Sequence, residues 1–114
     1  MTADITALSA SELSERIHAR QLSCTDVMQA YLQRIDGLNP IYNAIVNLAD
    51  DDSLLAQADA LDAELAQGHS RGWMHGMPQA IKDTGAAIGF PTTLGCTLLK
   101  NNVAKSDHIM VARM

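Results

Sequence analysis

The strongest constraint on this chain is a change of character at Gly68. Up to that glycine the sequence is written in helical stripes. Beyond it, Gly72, Gly76, Gly85, Gly89 and Gly95, with Pro78 and Pro91, recur too often for a long regular element. Glycine and proline at that density mark a chain shaped by turns. The first half, in contrast, is punctuated at its helix starts. Ser9 and Glu12 have the capping-box spacing, in which a hydroxyl takes the third amide and a carboxylate reaches back to the cap, and Ala10, Leu13 and Ile17 share one face behind them. Ser23 or Thr25 opens a second helix with Asp26 in its first turn and Val27, Tyr31, Ile35 and Leu38 at helical spacing; Gly37, Asn39 and Pro40 predict its end. A third helix starts at the acidic run Asp50 to Asp52, where the positive end of a helix dipole accommodates carboxylates, and carries Leu54, Ala58, Leu61 and Leu65 on one stripe towards Gly68.

Two short segments carry strand signals. "YNAIVNL" is rich in branched side chains, with Ala44, Val46 and Leu48 alternating against Asn43, Ile45 and Asn47. "PQAIKD" is a brief apolar run closed by Lys82 and Asp83. The predicted organisation is a helical pair over 1–40, a strand and a helix over 41–68, and a lysine-bearing strand with glycine-rich loops over 69–114. "KSDHIMVARM" predicts one more helix, capped by Ser106 or Asp107 and too short to stand alone in water, so an incomplete domain is expected.

A chain of 114 residues can bury one core, and 47% apolar with 18% charged residues places it among ordinary globular proteins. Its formal charge of -5 offers no basic face for phosphate backbones, so direct nucleic-acid binding is not expected. No run approaches the roughly 20 apolar residues that span a bilayer, and the N-terminus lacks the charged-then-apolar order of a signal peptide. Cys24 and Cys96 form no C-x-x-C pair, which predicts reduced thiols in a soluble, cytoplasmic protein.

Most of the reactive side chains have structural readings. His18, His69, His75 and His108 show no close ligand spacing, and neither a metal nor a cofactor is implied. Ser106, Asp107 and His108 spell a hydrolase triad in consecutive letters, but a triad is made by spatial convergence, and a helix cap fits better. Asp50 to Asp52 lack the order of a calcium loop. Lys82 leaves two readings open on the residues alone. One is a strand-end lysine reaching water, paired with Asp83. The other is a desolvated amine, which burial beside serine hydroxyls would make a competent general base.

The stretch "WMHGMPQAIKDTGAAIGFPTTLGCTLLKNNVAKSDHIMVARM" resembles the lysine region of the amidase signature family, whose pattern is close to L-H-G-I-P-x-x-x-K-D, then P-T-T-x-G-S, then an acidic residue opening a helix. His75, Gly76, Pro78, Lys82, Asp83, Pro91, Thr92, Thr93, Gly95 and Asp107 stand in register with it. The front half, "LSASELSERIHARQLSCTDVMQAYLQRIDGLNPIYNAIVNL", is similar to the paired helices, the turn and the first strand of the same family. The resemblance implies an α/β fold, an α/β/α arrangement with a mixed central sheet, of which this chain would hold three helices, about two short strands and a glycine-rich loop region. It also implies hydrolysis of carbon–nitrogen amide bonds by a serine, a second serine in a cis peptide, and a lysine. In that scheme the lysine takes a proton from the bridging serine, the bridge deprotonates the nucleophile, and backbone donors hold the oxyanion.

Only the lysine carries over, onto Lys82; the serines of the family lie in a Gly-Ser-rich stretch that these residues do not contain. Cys96 stands where the family has the serine of P-T-T-x-G-S, and Met74 and Met77 replace branched residues. The expectation is therefore an N-terminal segment of an amidase acting on a small amide, contributing Lys82 and inactive alone. The alternative is a non-catalytic association segment that pairs with another fragment or with a twin chain in a homodimer.

Overall fold

The computed structural model describes residues 4–114. Its helices begin where the local chemistry dictates. A 3-10 turn at Ile5–Ala7 leads into α1 (Ala10–His18), where the Ser9 hydroxyl accepts from the Glu12 amide and the Glu12 carboxylate accepts from the Ser9 amide. The same box, built from Ser23 and Asp26, opens α2 (Cys24–Tyr42), so Ser23 rather than Thr25 is the cap. Asp50 opens α3 (Asp51–Ala66) by accepting from the amide and the hydroxyl of Ser53.

The chain divides into two compact units at the Pro78–Gln79 peptide. The first holds the core. Leu13 and Ile17 of α1, Cys24 and Val27 of α2, and Ala58 of α3 are buried together, with Tyr31, Leu61, Leu65 and Met77 packed around them. Burying an apolar side chain of the larger kind is worth roughly 1.5–3 kcal/mol, and polar contacts then fix how α2 meets α3. The Asp62 carboxylate accepts from the Cys24 amide at 2.7 Å, the Thr25 amide at 3.1 Å and the Thr25 hydroxyl at 2.9 Å, satisfying donors that the first turn of α2 leaves open. In return Arg20, in the α1–α2 turn, donates to the Leu65 and Ala66 carbonyls at the end of α3. His75 is also buried: it accepts the Arg71 amide at Nδ1 and donates from Nε2 to the Leu61 carbonyl, so both ring nitrogens are occupied in a neutral tautomer. His18 bridges the Ser14 carbonyl and the Ser70 hydroxyl, tying the same turn to α1.

Three expectations need correction. α2 does not stop at Gly37–Pro40 but runs to Tyr42 with Pro40 inside it. Proline removes one amide from the last turn only, and Asn43, left-handed at φ 48°, closes the helix by donating to the Asn39 carbonyl at 2.7 Å. The mixed central sheet is absent: among the described residues no strand forms, and the architecture is helical. "YNAIVNL" is irregular, with Ile45 held by both ends of the Asn39 amide, and "PQAIKD" is likewise without a ladder partner. A strand is defined by a neighbour, and branched, alternating residues create only the capacity for one. Finally, α4 (Ile109–Arg113) is capped by His108, whose Nδ1 accepts the Met110 amide, and not by Ser106 or Asp107.

The second unit is built of turns. Gly89 to Thr92 runs antiparallel to Asn102 to Ala104 through one isolated bridge, Pro91 to Val103. Flanking bonds join the Gly89 amide to the Ala104 carbonyl, the Ala104 amide to the Phe90 carbonyl and the Thr92 amide to the Asn102 carbonyl. Asp107 accepts the Ile88 amide at 2.7 Å and the His108 amide reaches the Ala86 carbonyl, which hold the start of α4 in place. Asp107 and His108 are thus spent on backbone, and no triad is assembled from them.

Candidate active site

Lys82 lies in the second unit, in a segment whose main chain is fixed on the side that follows it. The Gly85 amide donates to the Lys82 carbonyl at 2.8 Å, closing a turn over Asp83 and Thr84. Asp83 is held harder still. Its carboxylate accepts the Thr93 amide at 2.7 Å and, on the other oxygen, the Thr93 hydroxyl, while its carbonyl accepts the Leu94 amide at 3.3 Å. The Thr93 oxygen in turn accepts from the Gly95 amide at 3.3 Å. These bonds close a loop from Asp83 to Gly95, in which Leu94 takes the left-handed conformation at φ 53° that non-glycine residues seldom adopt. Hydrogen bonds from the Thr93 hydroxyl and amide hold the Asp83 carboxyl below the ordinary carboxylate range.

The Lys82 amine has no such ties. The residue is exposed, and among the described residues its amine has neither a hydrogen-bond nor an ion-pair partner. The pairing with Asp83 allowed for on sequence grounds does not form among the described residues, where the carboxylate is bonded to Thr93. Lys82 borders an open hollow of about 280 Å³ lined by Ile81, Thr84, Gly85, His108 and Met110. Burial of the amine is therefore not a property of residues 79–114 by themselves.

The twin threonines behave differently. Thr93 is fully used, whereas the Thr92 hydroxyl is buried without a hydrogen-bond partner among the described residues. The sequence singles out neither the Asp83–Thr93 clasp nor this contrast, although Pro91, Thr92 and Thr93 all stand in the motif. A contact between loop residues so far apart has no periodicity to reveal it.

Of the two thiols, Cys24 is buried and Cys96 exposed, both free. Burial, with the Asp62 carboxylate beside it, pushes the Cys24 thiol up to about 12. No helix of the described residues is long and apolar enough to cross a membrane.

The amidase family model matches residues 26–114, which takes in most of α2, all of α3 and the whole lysine-bearing unit. The chain belongs to the amidase family. Its relatives within that family have different names. It is 37% identical over 111 residues to a glutamyl-tRNA(Gln) amidotransferase subunit from Bdellovibrio bacteriovorus, covering 97% of this chain and 22% of that one. It is 35% identical over 107 residues to an acylamidase of Rhodococcus erythropolis, covering 94% of this chain and 22% of the relative. A putative amidase, AmiD, of Mycobacterium bovis is 33% identical over 110 residues, 96% of this chain and 23% of the relative. The chain thus spans less than a quarter of the length of these amidase relatives.

Proposed function

We propose that this chain forms part of an amidase that cleaves carbon–nitrogen amide bonds, and that Lys82 is the lysine of its Ser–cis-Ser–Lys triad. The observation that carries the reading is the contrast at one residue. The main chain after Lys82 is tied by the 82–85 turn and by the Asp83–Thr93 bonds, while the amine has no partner among the described residues and the residue borders an open hollow. Membership in the amidase family adds the chemistry, and the names acylamidase and amidotransferase both denote work at an amide.

In this scheme Lys82 accepts a proton from a bridging serine, which deprotonates the nucleophile. The nucleophile attacks the amide carbonyl, and the proton returns to the departing amine. Both serines lie outside residues 1–114 in this reading, so the chain by itself turns nothing over. The test offers simple amides to the 114-residue chain and to the full-length enzyme with Lys82→Ala. The chain should be silent and the variant should lose about 10²–10⁴ in kcat, the usual share of a general base. Substantial turnover by either contradicts the assignment.

A second reading treats the chain as an association segment that pairs with another fragment or a twin copy. Large apolar side chains left open in each unit favour it: Ile41, Tyr42 and Val46 in the first, Leu94, Leu98 and Ile109 in the second. Sedimentation of the purified chain decides it, since a monodisperse monomer at micromolar concentration leaves the association reading without support.

A further inference from the structure

We infer that Asp83 and Thr93 form a positioning clasp for Lys82, so that catalysis depends on a carboxylate and a hydroxyl that never meet the substrate. The inference rests on the assignment of Lys82 as the triad lysine. Three features of the geometry carry it. The clasp is two-pronged, one Asp83 oxygen taking the Thr93 amide and the other the Thr93 hydroxyl, which fixes a plane as well as a distance. It is closed by the Leu94 amide on the Asp83 carbonyl, so the residue following Lys82 is held at its side chain and at its backbone carbonyl. It also turns the one acidic group adjacent in sequence to Lys82 towards Thr93, and no Lys82–Asp83 ion pair is present among the described residues. A lysine on a long flexible stem must deliver its nitrogen to within hydrogen-bond reach of a hydroxyl, and displacement of its Cα by about an ångström is enough to weaken proton transfer strongly.

The neighbouring threonine supplies the matched control. Thr92 differs from Thr93 in having a buried hydroxyl with no partner among the described residues, so the same isosteric change removes nothing that holds Lys82. In the full-length enzyme, Thr93→Val should lower kcat at least tenfold with KM within twofold of wild type. Thr93→Ser, which keeps the hydroxyl, should recover most of the loss, and Thr92→Val should stay within twofold. Asp83→Ala, which removes both acceptors, should resemble Thr93→Val. A readout independent of activity uses the 114-residue chain: exchange of the Thr93 and Gly85 amides, followed by NMR, should quicken at least tenfold in Asp83→Ala and Thr93→Val and be unchanged in Thr92→Val. The clasp is overturned if Thr93→Val and Asp83→Ala keep wild-type kcat while Lys82→Ala is inactive, if Thr93→Ser fails to rescue, or if the two amides exchange alike in all variants. Full activity of Lys82→Ala would instead remove the triad assignment on which the clasp depends.

Discussion

Cys24 and Gly76 show how tightly single residues are specified in the helical unit. A Cβ built on Gly76 would stand 2.4 Å from the Cys24 sulfur and 3.1 Å from its Cβ, and Gly76 has φ +77°. Cys24 is fully buried, so its sulfur has nowhere to swing. Gly76→Ala should therefore cost about 2–4 kcal/mol from overpacking and left-handed strain together, seen as a lower urea midpoint. Adding Cys24→Ala should relieve the overpacking part but leave the cost of the positive φ; an additive loss in the double variant would show that the two sites do not touch. The thiols give a second test. With Cys24 buried and raised to about 12, and Cys96 exposed, iodoacetamide at about pH 8 should modify Cys96 in the folded chain and reach Cys24 only after denaturant is added. Equal labelling of both in native buffer would contradict the core placement of Cys24.

At the level of elements, Asp62 welds α3 to the start of α2. Burial alone would raise its carboxyl, but hydrogen bonds from Cys24 and Thr25 outweigh burial and hold it below the usual value. A group whose folded value is depressed contributes stability that is present above its unfolded value, near about 3.9, and is lost as pH falls through the lower folded one. Asp62→Ala should thus cost about 1–2 kcal/mol at neutral pH, as for loss of a helix cap, and should flatten the decline in melting temperature below about pH 4. An unchanged acid profile would show that the α2 amides find water instead. Such caps also mark the limit of what the sequence discloses. Ser9 with Glu12, Ser23 with Asp26, and Asp50 act within one turn; spacing identifies the first box and the starts of α2 and α3, leaving Ser23 beside Thr25 and Asp50 within its acidic run, and it also marks the buried stripe of Leu13, Ile17, Val27 and Ala58. The grip of Asp62 on α2, the run of α2 past Pro40, and the absence of strands at "YNAIVNL" and "PQAIKD" turn on partners distant in sequence or not supplied by it. Lys82 is marked by its motif and its family; the clasp that holds it is not, since nothing in the spacing of Asp83 and Thr93 distinguishes a contact from a coincidence.

For the molecule as a whole, the decisive asymmetry is where apolar surface is removed from water. All the buried apolar residues among those described, Leu13, Ile17, Cys24, Val27, Leu32 and Ala58, lie before Pro78; between Gln79 and Met114 no residue is fully buried, and Leu98 is 91% exposed. Hydrogen bonds near solvent contribute about 1 kcal/mol each at best, and ordering each residue costs about as much in backbone entropy. A unit held by turns, one bridge and the Asp83–Thr93 clasp therefore has little surplus, whereas α1 to α3 share a core. In the isolated chain the two units should open separately. By hydrogen exchange with mass spectrometry, peptides covering Leu13–Ile17, Val27–Leu32 and Leu54–Leu61 should remain protected for minutes to hours. Those covering Gly85–Lys100 should exchange far sooner, keeping only the partial protection that turns and the Asp83–Thr93 bonds supply, because local opening there needs no disruption of a core. Adding urea should abolish the protection of the first class in one cooperative step and should remove the smaller protection of the second at lower urea. If the lysine-bearing unit proved as protected as the helices and melted with them, its loops would be stabilised by burial that the chain's own residues do not display, and the division into a cored unit and a turn-built unit would have to be abandoned.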